Sequence, residues 1–210
     1  MEDRWNDYLD SENAILKNKL GFSGEKDRDS LSKAERKISL EKLSLLYLNP
    51  IDGALDAEHL KKIHRFIFED IYPFAGEYRE VDIEKNHFSF RSYKTIEPRL
   101  EATLKLMQDE IKNVHSVFGY AYFLAGYYNE LIIIHPFREG NGRSIREFFR
   151  EFVLKMNDKT DFEDVELDFT KMNKERLLLG TTDRYLYPGY LEMEFTNGLV
   201  PITKKDIKKL

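Results

Sequence analysis

Apolar residues recur every three or four positions along much of the chain, a period that predicts five or more amphipathic helices. The clearest run from Leu60 to Ile71, Ile96 to Val114, Gly119 to Ile134 and Ser144 to Met156. Between the first two, Pro73 and Gly76 break the helical period. Residues 78–93 then alternate, with Val81 and Ile83 on one side of Lys85, Asn86 and His87, and Phe88 and Phe90 on the other, which predicts a short hairpin. The expected fold class is therefore all-α with a small β-hairpin flap. The apolar stretch Ser116 to Ile134 is long enough to be mistaken for a membrane span, but Gly119, Gly126, Asn129 and Glu130 interrupt it, so a buried core helix is expected.

The ends read differently from the middle. Glu25 to Asp29 is a solvated run of charge, after which Leu31 to Arg36 resumes helical character. Beyond Asp158 the chain turns acidic and less periodic, and Lys204 to Leu210 is a basic tail. This organisation suits one domain over residues 1–210, with a helical preamble (1–44), a core (45–156) and a C-terminal extension (157–210). The N-terminal helices carry apolar and aromatic positions that suit a homodimer.

Composition narrows the chemistry. A net charge of −5 gives no global basic field, which points to small-molecule or protein partners and away from nucleic acid. The absence of cysteine removes disulfides, thiolate nucleophiles and zinc–sulfur sites. The polar, acidic start from Met1 to Tyr8 lacks the basic and apolar regions of an export signal. A cytoplasmic protein is expected, with an exported effector as the alternative.

The chemistry concentrates in residues 135–146, His-Pro-Phe-Arg-Glu-Gly-Asn-Gly-Arg-Ser-Ile-Arg, between two predicted helices. Gly140 and Gly142 let the backbone turn tightly and present consecutive N–H groups, and the start of the next helix adds partial positive charge, so the loop is a candidate phosphate cradle. Arg143, Arg146 and Arg150 recur at spacings of three and four, and the first two are placed to engage a polyphosphate with paired N–H donors. Arg150, farther along, reads as structural. The candidate phosphate-binding set is Arg138, Gly140, Asn141, Gly142, Arg143 and Arg146. Glu139, the one carboxylate in the loop, is the candidate Mg²⁺ ligand. His135 has the only side chain there whose ordinary pKa suits proton removal near neutral pH. His59, His64 and His115 sit in helical stretches and read as structural, and the aromatics from Tyr120 to Tyr128 read as core packing.

This segment resembles the signature of the Fic family, His-Pro-Phe-x-(Asp/Glu)-Gly-Asn-Gly-Arg-x-x-Arg, at every fixed position. Residues 74–79, with Ile83 and Phe90, resemble the flap of that family, and residues 128–131 its pre-motif helix, so the resemblance covers roughly residues 45 to 156. It implies a helical core whose flap aligns a target segment over the nucleotide, with Lys85, His87, Phe88 and Phe90 as candidate docking residues. It further implies that His135 is the general base, Glu139 the Mg²⁺ ligand, Phe137 a core anchor, residues 140–143 the phosphate cradle and Arg146 the γ-phosphate clamp. The implied reaction is transfer of AMP from ATP to a Ser, Thr or Tyr hydroxyl of a protein, the enzyme itself included. Intact Glu139, Gly142 and Arg146 favour that over transfer of other phosphate groups. Two other readings compete: a nucleotide sensor, which has no use for a base, and removal of AMP, which in such proteins relies on an inhibitory glutamate.

Many relatives resemble one another in an inhibitory helix, (Ser/Thr)-x-x-x-Glu-(Gly/Asn), whose glutamate pairs with the final motif arginine. Glu35 is the candidate, in a helix around residues 31–36, but Leu31 stands where the hydroxyl belongs and Arg36 where Gly or Asn belongs. Incomplete or absent self-inhibition is the expectation.

Overall fold

A computed structural model describes residues 4–12, 14–85 and 88–202. Among them run α1 (Arg28–Leu48), α2 (Ala57–Phe68), α3 (Ile96–Glu110), α4 (Val117–Ile134), α5 (Asn141–Met156), α6 (Lys174–Thr182) and α7 (Tyr190–Gly198). The mainly helical expectation holds, and the boundaries move where caps decide them. Asp56 accepts the N–H of His59 at 2.9 Å and starts α2 three residues before the first apolar position of the pattern. Ser116 accepts the N–H of Gly119 at 3.1 Å and starts α4 in the same way.

The predicted core helix, α4, is buried by α3, α5 and α7 packed around it. Tyr120, Ala121, Leu124, Ala125, Tyr128, Leu131 and Ile134 are all buried along it, and no helix among the described residues is long and apolar enough to cross a membrane. The aromatics Tyr120 and Tyr128 pack in the core as expected, Tyr128 edge-on to both Phe149 and Phe195.

Phe195 belongs to the C-terminal extension, where the pattern yielded no element. There β3 (Val165–Leu167) pairs antiparallel with β4 (Leu199–Pro201), Glu166 opposite Val200, and α7 lies along α4. The hairpin predicted over residues 78–93 contracts to β1 (Glu84–Lys85) and β2 (Phe88–Ser89), with Lys85 opposite Phe88. Outside that ladder, Arg79 and Arg91 on the two arms tie the segment to the end of α4 and the residues just after it, and the Phe90 N–H bonds the Ile83 carbonyl at 3.1 Å. At the other end, α1 extends far beyond the predicted turn at residues 31–36 and leaves Leu40, Tyr47 and Leu48 exposed.

Candidate active site

The site forms where α4 ends and α5 begins. His135 ends α4 in a left-handed conformation, φ 49°, with its N–H still bonded to the Leu131 carbonyl at 3.0 Å. A side chain rarely adopts that conformation without a local cause. Here the ring turns back so that Nδ1 lies 3.2 Å from the Ile132 carbonyl. A carbonyl only accepts, so Nδ1 carries the proton and Nε2 keeps its lone pair. Phe90 from the flap lies flat on the imidazole, 3.8 Å between centroids and 18° between planes.

Burial, with the positive charges of Arg79 and Lys85 adding to it, pushes His135 down to about 4, so the ring is neutral at pH 7. His64, more deeply buried, is likewise held down to about 4. It donates from Nε2 to the Glu139 carbonyl at 2.9 Å and accepts the Gly76 N–H on Nδ1 at 2.8 Å. Stacked 3.8 Å from Phe137, it ties the 73–79 turn to the loop, which is the structural part expected of it. His59 and Glu151 form a second buried pair at 2.5 Å, away from the loop.

These depressed values set a pH dependence. A histidine of ordinary pKa about 6.5 in the unfolded chain takes up a proton there before it does in the folded protein, so stability is full above about 6.5 and falls as pH drops toward 4. Urea midpoints between about pH 6.5 and 5 are expected to fall with a slope that His64→Gln reduces by close to one proton. An unchanged slope in that variant would mean that His64 titrates alike in both states.

The loop is held from within. Asn141, a candidate phosphate ligand, is buried, and its side chain donates to the Phe137 carbonyl at 2.7 Å and accepts the Phe137 N–H at 2.8 Å. Its side chain is thus committed to the loop, and its backbone N–H at the start of α5 remains as a donor for an anion. Phe137 itself is fully buried. Gly140 caps α5 at φ 81°, and its carbonyl accepts from both Arg143 and Ser144, so the N–H groups of Asn141 and Gly142 lead the helix as donors.

The arginines divide. Arg143 donates to Ser39 Oγ at 2.9 Å and to Glu35 Oε1 at 2.5 Å, stands 3.6 Å from Glu139 and covers the ring of Phe68. Glu35 also accepts from the Tyr72 hydroxyl. The resemblance implied a pairing of Glu35 with the final motif arginine, and the structure corrects it: the partner is Arg143, one helical turn earlier. Arg146 reaches instead toward the hydroxyl of buried Tyr128. Arg150 is structural, paired with Glu147 at 2.6 Å and donating to the Leu46 carbonyl at 3.0 Å. Arg138, also a candidate phosphate ligand, turns away from the cradle to lie 4.3 Å from the Trp5 ring and 5.8 Å from Tyr8.

On the flap, Lys85 is exposed and Phe88 is half-buried, edge-on to Phe90 at 5.2 Å. Phe90, expected to dock a target, stacks on the His135 ring. His87 lies outside the described residues. Sequence reasoning assigned no role to Ser39, Tyr72 or Arg79, all of which touch these groups. Only Arg79 left a signal, by closing the quoted stretch 74–79.

Comparison with known proteins agrees with this geometry. The profile of the Fic/DOC family matches residues 54–153. The chain is 33% identical over 160 residues to the protein adenylyltransferase VbhT of Bartonella schoenbuchensis, a match covering 76% of this chain and 33% of that protein, so it spans about a third of that relative's length. To the probable protein adenylyltransferase Fic of Salmonella typhimurium it is 31% identical over 143 residues, covering 67% of this chain and 68% of that one. In structure it is similar to the N-terminal Fic domain of a putative cell filamentation protein from Bartonella quintana, solved with bound ADP, at a TM-score of 0.82 and 21% identity over 97% of this chain and 98% of that one. BepC of Bartonella tribocorum, solved with bound AMPPNP, superposes with a TM-score of 0.79 at 21% identity over 94% of this chain and 98% of that one. Sequence match, fold and motif loop together establish that this chain belongs to the Fic/DOC family.

Proposed function

We propose that this protein transfers AMP from ATP to a hydroxyl side chain of a target protein, itself included, and releases pyrophosphate. The observation that carries the reading is the imidazole of His135, whose Nδ1 is tied to Ile132 while Nε2 makes no hydrogen bond among the described residues. It stands at the mouth of a loop whose helix N-terminus, Arg143 and Arg146 supply donors for a polyphosphate. In this reaction Nε2 takes the proton of the attacking hydroxyl, the new bond forms at the α-phosphorus, and the bond from that phosphorus to the bridging oxygen breaks as pyrophosphate leaves. A base held neutral by burial is ready at pH 7, and the negative charge of bound triphosphate favours the imidazolium that forms.

Glu139 fits a magnesium ligand. Its Oε1 accepts the Gly140 N–H at 2.9 Å, and its side chain, 43% exposed, keeps Oε2 for a hard cation. No group of three or more acidic or histidine side chains able to hold a metal occurs among the described residues, so phosphate oxygens and water would complete the shell. When bound, magnesium supplies charge neutralisation between the phosphates.

The test is incubation with magnesium and α-labelled or γ-labelled ATP in parallel, with His135→Ala alongside. Protein label from the α position alone, lost in the variant, is the expected result. Label from the γ position would mean phosphotransfer, and nucleotide binding without label would mean a sensor.

For Glu35 we propose that it holds Arg143 and leaves the γ-phosphate position at Arg146 open. Because Glu35 engages Arg143 and not Arg146, Glu35→Gly is expected to change AMP transfer by less than about tenfold. A gain of tens of fold would establish strong inhibition through Glu35.

A further inference from the structure

Arg79 is the one arginine buried almost completely, at 1% exposure, and its only acidic neighbour among the described ion pairs is Asp82, an exposed carboxylate 3.8 Å away. A guanidinium removed from water needs acceptors for its fork, and Arg79 finds them on two elements at once. From the end of α4 it takes the carbonyls of His135, at 2.8 Å to Nε, and of Ile134, at 3.2 Å. From the flap it takes the carbonyl of Val81, at 2.5 Å, on the incoming arm, and that of Arg91 on the returning arm. Its own N–H donates to the Pro136 carbonyl at 2.9 Å, and the N–H of Arg91 donates to the Ile133 carbonyl at 3.0 Å.

We propose that Arg79 is a positioning residue for the candidate base: it locks His135 in its left-handed conformation and binds both arms of the flap to that same point, so that flap and base are set as one unit. The inference rests on the reading of His135 as the base and adds a residue that touches neither nucleotide nor target. Two further features support it. The carbonyls at the end of α4 carry the negative end of the helix dipole, where a cation is favoured. Phe90, which stacks on the His135 ring, directly precedes Arg91, the residue through which Arg79 holds the returning arm.

Arg79→Lys tests this in the full chain. Lysine keeps the charge and the stem, but its single ammonium cannot span the end of α4 and both arms of the flap together. The expected result is a kcat for protein AMP transfer lowered by about 10- to 100-fold, the scale of loss when a reacting group is displaced by about 1 Å. Affinity for magnesium-ATP by calorimetry should stay within about threefold, because the cradle on α5 is untouched. An activity-independent readout accompanies it: the His135 ring protons, expected upfield in NMR because they lie over the face of Phe90, should move toward ordinary histidine values in Arg79→Lys. Phe90→Ala calibrates that shift. A variant with wild-type kcat and an unchanged ring shift overturns the proposal, as does one that loses ATP affinity in step with kcat or fails to fold, since Arg79 would then be general scaffolding. Should the parent transfer no AMP, the reading of the base fails, and the ring shift still decides whether Arg79 sets the histidine.

Discussion

Replacing His135 with alanine is expected to lower AMP transfer by a factor of about 10² to 10⁴, the range general-base catalysis contributes, while magnesium-ATP still binds. In the proposed reaction the nucleotide would be held by the start of α5 and its arginines, none of which hydrogen-bonds the imidazole among the described contacts. Alanine also removes the partner of Phe90 and must adopt φ 49°, at a cost of about 1–2 kcal/mol, so part of any loss has a conformational origin. Asparagine tolerates that backbone and cannot act as a base, which makes His135→Asn the deciding variant. Both variants should be equally inactive. If the asparagine form recovers activity to within about tenfold of the parent, His135 serves the backbone and some other group takes the proton.

The second large effect is expected from Gly140→Ala. Gly140 lies at φ 81°, and a Cβ there would stand 2.3 Å from a carbon of the Phe68 ring, itself fully buried. Left-handed strain of about 1–2 kcal/mol adds to about 1–3 kcal/mol of overpacking, a large share of the stability of a domain this size. Relief by moving the loop would displace the leading N–H groups of α5, so AMP transfer and ATP affinity should fall together. Gly142→Ala is the contrast, since its Cβ would meet only the flexible end of Arg146, at 3.2 Å. Thermal and urea unfolding of the pair check this: equal midpoints would show that the close packing at Gly140 is relieved without cost.

The helical core and the motif loop were legible because their causes are local. Four helices announce themselves through a period of 3.6, and the glycines, histidine, carboxylate and arginines of residues 135–146 lie within twelve positions of one another, so spacing alone groups a candidate anion site with a candidate base. The C-terminal extension was not legible. Leu191 and Phe195 are buried because α7 finds α4, and short segments with mixed charge show no period strong enough to reveal that. The small hairpin was legible in the alternation of residues 78–93, but its ladder is shorter than the alternation, limited to β1 and β2, because Arg79 and Arg91 on the flanking arms give their N–H groups to carbonyls at and just beyond the end of α4.

Sequence by itself determined the fold class, the membership of one loop and the residue types that fit base, metal ligand and phosphate donors, all properties of neighbours along the chain. Tertiary structure alone decided which way the side chains are committed. Asn141 turns into its own loop, Arg138 turns out to Trp5, Phe90 stacks on the His135 ring, and Glu35 meets Arg143 from 108 positions away. A polar side chain satisfies its hydrogen bonds with whatever the folded chain brings near, and the buried Arg79 relies on carbonyls distant in sequence as well as on near ones. The long-range partners among them, Trp5 for Arg138, Phe90 for His135 and Glu35 for Arg143, are set by packing between elements and leave no mark on the residues nearby in sequence.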